Sequence, residues 1–350
     1  MARALADVIR ESWQGWVDEP VDATVFGTRD ADEIAAQLDA VAHAHLGARI
    51  VDALGYHASV GCTALVRLDD GREVAIKVFQ PHTSPTFLTA VVAVQQHLHA
   101  AGFPAAEPLA GPVPVAGTHA TIDARVVDPG IISEPDASAR RASAAGLARL
   151  LRSAASVAGS EAVAGLAQHP MAAPEVGLWP RPHSPLFSFD LPTPRAAEID
   201  ALGQAGRDAR DADPAGLVIA HCDWTLRNVR IRSGPDAAVV AVFDWDSLHL
   251  VAETRAVGQA AQTWCATGEA GAPAWPDARG VATFVADYER ARERPFRAAE
   301  RRAIGGAALY NLAYTARCEA ALQARWPDHE GHPHQALDLL SADGDRLLSL

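Results

Sequence analysis

The sequence predicts an α+β protein in two parts: a small N-terminal part built on an antiparallel sheet, and a larger, mostly helical C-terminal part. Three observations carry this. Apolar residues alternate with period two through much of Arg49 to Phe79, the pattern of half-buried strands. After Asp246 the apolar spacing becomes predominantly helical. Between these regions Val127-Asp128-Pro129-Gly130 reads as a hinge, because a Pro-Gly step ends regular structure. The boundary is drawn there, with residues 1–128 in the N-terminal part and 129–350 in the C-terminal part.

In chain order, Ala-rich residues 31–45 form a leading helix. Strands follow at about 49–56, 62–68 and 73–79, with Asp69-Asp70-Gly71 as the turn between the last two. In the third strand Val74, Ile76 and Val78 share one face, and Ala75, Lys77 and Phe79 the other. Lys77 thus points away from the aliphatic side. A helix at about 85–101 ends at Gly102-Phe103-Pro104, and two further strands are expected near 112–116 and 118–127. A helix at 137–157 leads into a Pro-, Gly- and His-containing stretch, 159–195, that carries no readable function. Beyond Asp246, helices are expected at about 252–267, 278–293, 297–324 and 335–349.

Composition bounds the function. The 350 residues include 49% hydrophobic and 21% charged side chains, the balance of a soluble globular protein. A net charge of −13 argues against a nucleic-acid binder that relies on basic patches. The N-terminus has an acid at Asp7 and lacks the apolar core of a secretory signal. No run is long enough to cross a bilayer. Cys62, Cys222, Cys265 and Cys318 are dispersed, without a paired-cysteine motif, so neither a zinc ribbon nor a disulfide framework is indicated and a cytoplasmic setting is expected. His329, His332 and His334 form the one histidine cluster, read as an exposed connector before a metal site.

Two features point to chemistry. Among the 30 Lys and Arg residues, Lys77 is the single lysine, closing Val74-Ala75-Ile76-Lys77. A position that keeps lysine where every other cation is arginine asks for a compact ammonium, a point charge on a phosphate rather than a planar fork. The second feature is His221-Cys222-Asp223-Trp224-Thr225-Leu226-Arg227-Asn228, followed by an apolar run ending in Phe243-Asp244-Trp245-Asp246. The spacing is that of a phosphotransfer catalytic loop. A buried strand, Leu217–Ala220, precedes it, and Val229–Arg232 and Val239–Phe243 form a hairpin across Ser233-Gly234-Pro235-Asp236. With a loop of 233–238, Arg232 faces Val239 and Asn228 falls opposite Phe243, beside Asp244. An amide oxygen and a carboxylate then meet at one end of the hairpin, a hard-oxygen pair suited to Mg²⁺.

Together these residues resemble the aminoglycoside phosphotransferase family of small-molecule kinases, relatives of the protein kinases, over roughly residues 49–320. The resemblance implies a bilobal protein-kinase-like fold holding ATP, or GTP, with Mg²⁺ between the lobes, and a small hydroxylated molecule as phosphoryl acceptor. It implies that Asp223 accepts or orients the acceptor's proton and that His221 buttresses the loop. Asn228 and Asp244 would hold Mg²⁺, Lys77 would reach the α/β-phosphates, and Gly55, Ser59 and Gly61 would belong to a loop over the phosphates. Asp246 and Arg227 are supporting candidates, Arg227 reaching either the γ-phosphate or solvent.

Three departures stand out. The phosphate loop has only two glycines. The helix after Lys77, which in the family supplies a glutamate partner, has no acid from Thr86 to Ala101, leaving Gln95 or Gln96 to orient the ammonium. Trp224-Thr225-Leu226-Arg227 replaces the family's usual filler. The missing acid keeps a second reading open, a kinase-like nucleotide-binding module with little or no turnover. Glu253, Glu269, Asp287 and Glu289 are read either as a cation-accepting pocket or, in preference, as solvated helix faces. Oligomeric state and acceptor identity leave no trace in the sequence.

Overall fold

The computed structural model describes residues 2–14, 21–126, 135–166, 177–182, 187–190, 193, 195–212, 216–232, 234, 236–267, 275–326 and 335–350. The expected hinge at Val127–Gly130, the histidine cluster at 329–334 and parts of the 159–195 stretch lie outside them. The chain divides into two compact units, one of Met1–Val127 with Gly159–Leu166, the other of Asp128–Ala158 with Ala167–Leu350.

The first unit opens with three helices, α1 (Leu5–Ser12), α2 (Val21–Phe26) and α3 (Ala31–Leu46). Asp30 caps α3, its carboxylate accepting from the N–H groups of Asp32 and Glu33, and left-handed Gly47 ends it. Strands β1 (Ile50–Ala58), β2 (Cys62–Leu68) and β3 (Glu73–Val78) follow, then α4 (Pro85–Ala100), β4 (Pro108–Val115) and β5 (Thr118–Ala124). All pairs are antiparallel, in the order β1-β2-β3-β5-β4. One face of the sheet, with Ala64, Val66, Val74, Ile76, Val78, Ala120 and Ile122, packs into a single core with Ile9, Val25, Ile34 and Leu38 from the three leading helices. Alternation therefore puts Lys77 on the opposite face.

In the second unit, α5 (Ala137–Ala155) and α6 (Ala196–Asp211) precede four short strands, β6 (Leu217–His221), β7 (Val229–Arg232), β8 (Ala238–Val242) and β9 (Leu248–Ala252). These pair as two antiparallel ribbons, β6 with β9 and β7 with β8. Helices α7 (Glu253–Thr263), α8 (Ala278–Arg292), α9 (Ala298–Arg325) and α10 (Gln335–Leu347) complete it. Helix α9 is buried along most of its length, and small residues set how closely its neighbours approach. A Cβ added to Gly306 would lie 2.5 Å from Arg210 N and 2.7 Å from Gly206 O, so α6 and α9 meet backbone to backbone.

The expected class is found, with local differences. β4 begins at Pro108, earlier than expected. Helix α6 and strand β9 were not anticipated. The buried side of α6 includes Gly203, Gly206 and Ala209 around a single Ile199, so its apolar stripe is faint. Among the described residues, no helix is long and apolar enough to cross a membrane. All four cysteines are buried free thiols.

Gly306→Ala is expected to lower the unfolding free energy by about 1–3 kcal/mol, measured by urea denaturation. An unchanged midpoint would mean that α6 and α9 are farther apart than described.

Candidate active site

In the second unit the chain is knotted where β6 ends. His221, the last residue of β6, is buried, and its Nε2 lies 2.9 Å from Phe243 O. Its Nδ1 lies 3.3 Å from the backbone N of Asp223, which can only donate. The ring therefore accepts at Nδ1 and donates from Nε2–H, one tautomer serving both contacts. Asn228 closes the loop from the other side: its Nδ2 donates to Asp223 Oδ2 at 2.7 Å and to Asp223 O at 3.1 Å. Phe243 N donates to Asn228 O at 2.8 Å, extending the β7–β8 ladder to the site.

Asp244 follows immediately, in a left-handed conformation with φ 63° and ψ 49°. For a residue other than glycine that costs about 1 kcal/mol or more and persists only where neighbours enforce it. The enforcement is visible on both sides: Phe243 is held by Asn228 and His221, and Ser247, at the end of a 3-10 turn over Trp245–Ser247, accepts from Cys222 N at 2.8 Å. His221, Asp223, Asn228 and the backbone bearing Asp244 thus form one bonded system.

The filler of the loop has a structural purpose. Trp224 is 1% exposed and donates from Nε1 to Ser143 O at 3.1 Å and Ser143 Oγ at 3.0 Å, tying the loop to α5. Leu226 is also buried, and its N–H donates to Trp264 O at 2.8 Å. Arg227 is exposed, while its carbonyl accepts from Arg230 Nη1 at 2.7 Å. Asp246 is half-buried in the 3-10 turn. The hairpin register is as expected at its site end but shifts by one residue between Arg230 and Ile231, so Arg232 pairs with Ala238 and not Val239. A bulge in β8 absorbs one residue and shortens the connecting loop to 233–237.

Of the acids singled out on the C-terminal helices, the three that are described are engaged and so are not simply solvated. Asp287 is buried, bonded at 2.7 Å to Arg140 and also to Arg290. Glu253 accepts from Tyr288 OH at 2.9 Å, and Glu289 pairs with Arg301 at 2.6 Å. Glu269 lies outside the described residues.

In the first unit, Lys77 stands opposite Thr63 on β2 and Thr121 on β5, with Nζ 5.4 Å from the centroid of the Phe79 ring. Asp123 stands opposite Ala75, on the same face as Thr121. Gln95, the buried polar residue of α4, donates from Nε2 to Asp123 Oδ1 at 3.0 Å and to Ala106 O at 3.1 Å. Part of Asp123 reaches solvent, yet its carboxyl is held against α4. That desolvation pushes its pKa up to about 7, against the opposing pull of the Gln95 hydrogen bond and the Lys77 charge. Sequence reasoning overlooked this carboxyl, because only the β3–β5 pairing brings the two strands side by side.

The glycine loop is shorter than expected. β1 continues to Ala58, with His57 opposite Thr63 and Ala58 opposite Cys62, so Gly55 is a strand residue and the turn is confined to 59–61. Ser59 N–H donates to Gly61 O at 3.0 Å, so that N–H is engaged within the turn. A Cβ on Gly61 would fall 2.7 Å from Val78 O, so glycine is required there by the approach of β3.

Could these residues hold a metal? Among the described residues no group of three or more His, Cys, Asp or Glu is placed to cage one. Asn228 and Asp244 offer an amide oxygen and a carboxylate, the incomplete hard-oxygen set that Mg²⁺ completes with water and phosphate, so the donor chemistry fits.

The antiparallel sheet and mostly helical second unit make up the α+β fold of protein-kinase-like phosphotransferases. A phosphotransferase enzyme family model matches residues 62–295, and the chain belongs to that family. Solved structures share the fold at low identity. A microcompartment-associated aminopropanol kinase is 14% identical, with TM-score 0.55 over 89% of this chain and 97% of that one. A spectinomycin phosphotransferase, solved with ADP and spectinomycin, is 12% identical, with TM-score 0.54 over 90% and 97%. An amicoumacin kinase, solved with AMP-PNP and Ca²⁺, is 10% identical, with TM-score 0.53 over 91% and 96%. No curated protein matches the chain.

The raised carboxyl gives a signed prediction. Between about pH 4, where Asp123 ionises in the unfolded chain, and about pH 7, where it ionises in the fold, the native state holds the extra proton. Its contribution to stability therefore falls as pH rises through that window and is level above it. Measured by urea unfolding, the stability of wild type relative to Asp123→Asn is expected to drop from pH 5 to pH 8 by on the order of 2 kcal/mol. A constant difference would place Asp123 at its ordinary pKa.

Proposed function

We propose that this protein transfers the γ-phosphoryl group of ATP, or of GTP, to a hydroxyl of a small molecule. The observation that carries the reading is the Asp223–Asn228 pair, bonded at 2.7 Å within a loop locked to the hairpin that presents Asp244. Asp223 accepts or orients the proton of the attacking hydroxyl. Asn228 supports it in two ways, since its Nδ2 holds the Asp223 carboxylate in one rotamer while its amide oxygen is the atom chemically able to ligate a cation. Asn228 and Asp244 hold Mg²⁺, which when bound neutralises charge on the nucleotide phosphates. Lys77 meets the α/β-phosphates as a point charge.

His221 acts on the loop's backbone, its Nε2–H fixing Phe243 O and hence the start of Asp244. Asp246 supports the same turn, and Arg227 belongs to solvent. Gly61 keeps the β1–β2 turn close to β3, near the phosphate end of the sheet. Positioning and charge neutralisation are most of what phosphoryl transfer asks of a protein, and this set supplies both. The alternative, a nucleotide-binding module without turnover, draws on the absence of an acid in α4. Asp123 supplies a carboxylate on that face, which removes the support. Family membership and the kinase folds favour a small-molecule acceptor, and the setting proposed is the cytoplasm.

Asp223→Ala is expected to lower kcat by roughly 10²-fold or more while the circular dichroism spectrum stays that of wild type. The assay is ADP release against a panel of amino alcohols, sugars and aminoglycosides. Normal turnover per folded molecule would make Asp223 a structural cap. Lys77→Arg keeps the charge but changes its shape, and is expected to raise KM for ATP; wild-type kinetics would show that guanidinium serves equally well.

A further inference from the structure

Resting on the nucleotide reading above, we propose that Asp123, anchored to α4 by the Gln95 amide, is the positioning carboxylate that orients the Lys77 ammonium. Lys77 is opposite Thr121, and Asp123 lies two residues further along β5 on the same face. Diagonal neighbours of that kind sit roughly 7–8 Å apart, somewhat less at Cβ, within reach of a long side chain. The other carboxylate on this face of β3 is already engaged: Glu73 is paired with Arg67 at 2.8 Å and Arg125 at 2.6 Å. Asp123 receives an amide instead of a guanidinium, so its charge is not cancelled by an arginine.

The amide explains why α4 carries no acid. Both protons of Gln95 Nε2 are directed, one to Ala106 O and one to Asp123 Oδ1, so the helix side of the contact is a donor. A glutamate at 95 would set two carboxylates against each other unless one kept a proton. The acid here stands on the strand, and the helix residue that meets it is a neutral donor. Once ionised, above about pH 7, the Asp123 carboxylate beside the ammonium keeps it charged and restricts its rotamers, which is what a phosphate-binding lysine requires.

The test exploits the single lysine. Protein labelled with ¹³C at the lysine ε-carbon gives one lysine resonance, that of Lys77. In wild type this resonance should move on addition of Mg²⁺ with a non-hydrolysable ATP analogue. Asp123→Asn is expected to shift the resonance of the free protein and to weaken analogue binding, measured by calorimetry, about 10-fold. The double variant Gln95→Glu/Asp123→Asn keeps the hydrogen-bonded pair but returns the charge to the helix, and should restore binding to within a few-fold of wild type. A merely structural contact would not be rescued in this way.

Wild-type affinity in Asp123→Asn, or a double variant that folds but binds no better than the single one, would overturn the proposal. If Asp123→Asn does not fold, Gln95→Leu carries the test: binding several-fold weaker supports the anchor, and unchanged binding overturns it. If wild type binds no nucleotide, the phosphotransferase reading fails separately. The lysine resonance of the free protein then decides the pairing, standing if Asp123→Asn moves it and falling if it does not.

Discussion

The geometry of the candidate site in the second unit depends on one hydrogen-bonded cluster, in which Asn228 holds Asp223 with its side chain and Phe243 with its backbone while His221 also holds Phe243. Each bond contributes about 1 kcal/mol net, but breaking one strands a buried partner at about 1–3 kcal/mol. The bonds are also mutually dependent. His221 can donate to Phe243 only in the tautomer that accepts from Asp223 N, so the loop and the hairpin select each other's geometry. Asp244 could not keep its left-handed backbone without both anchors.

The knot is held by packing that carries no chemistry itself. Trp224 plugs the loop into α5, where a Cβ on Gly146 would fall 2.4 Å from the Val239 side chain and 3.2 Å from the indole, so the helix is trimmed to admit both. Below it, α9 is the helix against which α6, α7 and α10 settle, with glycine at the tightest crossings. Close crossings of this kind leave little room to slide, which suits a site that must hold oxygen atoms to within a fraction of an ångström. The first unit solves a different problem: it keeps the Lys77 ammonium on the face of a sheet whose other side is an aliphatic core.

What could be read in advance follows from how local each signal is. The His221–Asn228 spacing, the strand alternation around Lys77 and the site end of the β7–β8 register are encoded within a few residues of one another, so they were legible. The bulge between Arg230 and Ile231 was not, because Val239 and Val240 are interchangeable in an apolar run. Helix α6 hides because glycine and alanine form much of its contact surface. β9 hides because Leu248–Ala252 has no Gly or Pro boundary and runs straight into α7. Asp123 is the instructive omission. It was assigned to a strand, but its meaning depends on β5 lying beside β3 and on Gln95 reaching down from α4, two non-local facts that no window of sequence contains.

The distribution of acids bears on the acceptor. A net charge of −13 invites the idea of a polycationic substrate. Among the described residues, three helical acids that could serve it are committed elsewhere, Asp287 to two arginines, Glu289 to Arg301 and the Phe296 N–H, and Glu253 to Tyr288 and Arg292. Releasing one would leave an arginine without its counter-charge, and for the buried Asp287 would cost several kcal/mol. These acids hold α5, α7, α8 and α9 together. Recognition of a cationic acceptor would need carboxylates that are free of such duties, and total charge, screened over about 8 Å at physiological salt, is no substitute for them. The acidity of the chain is thus in part architectural.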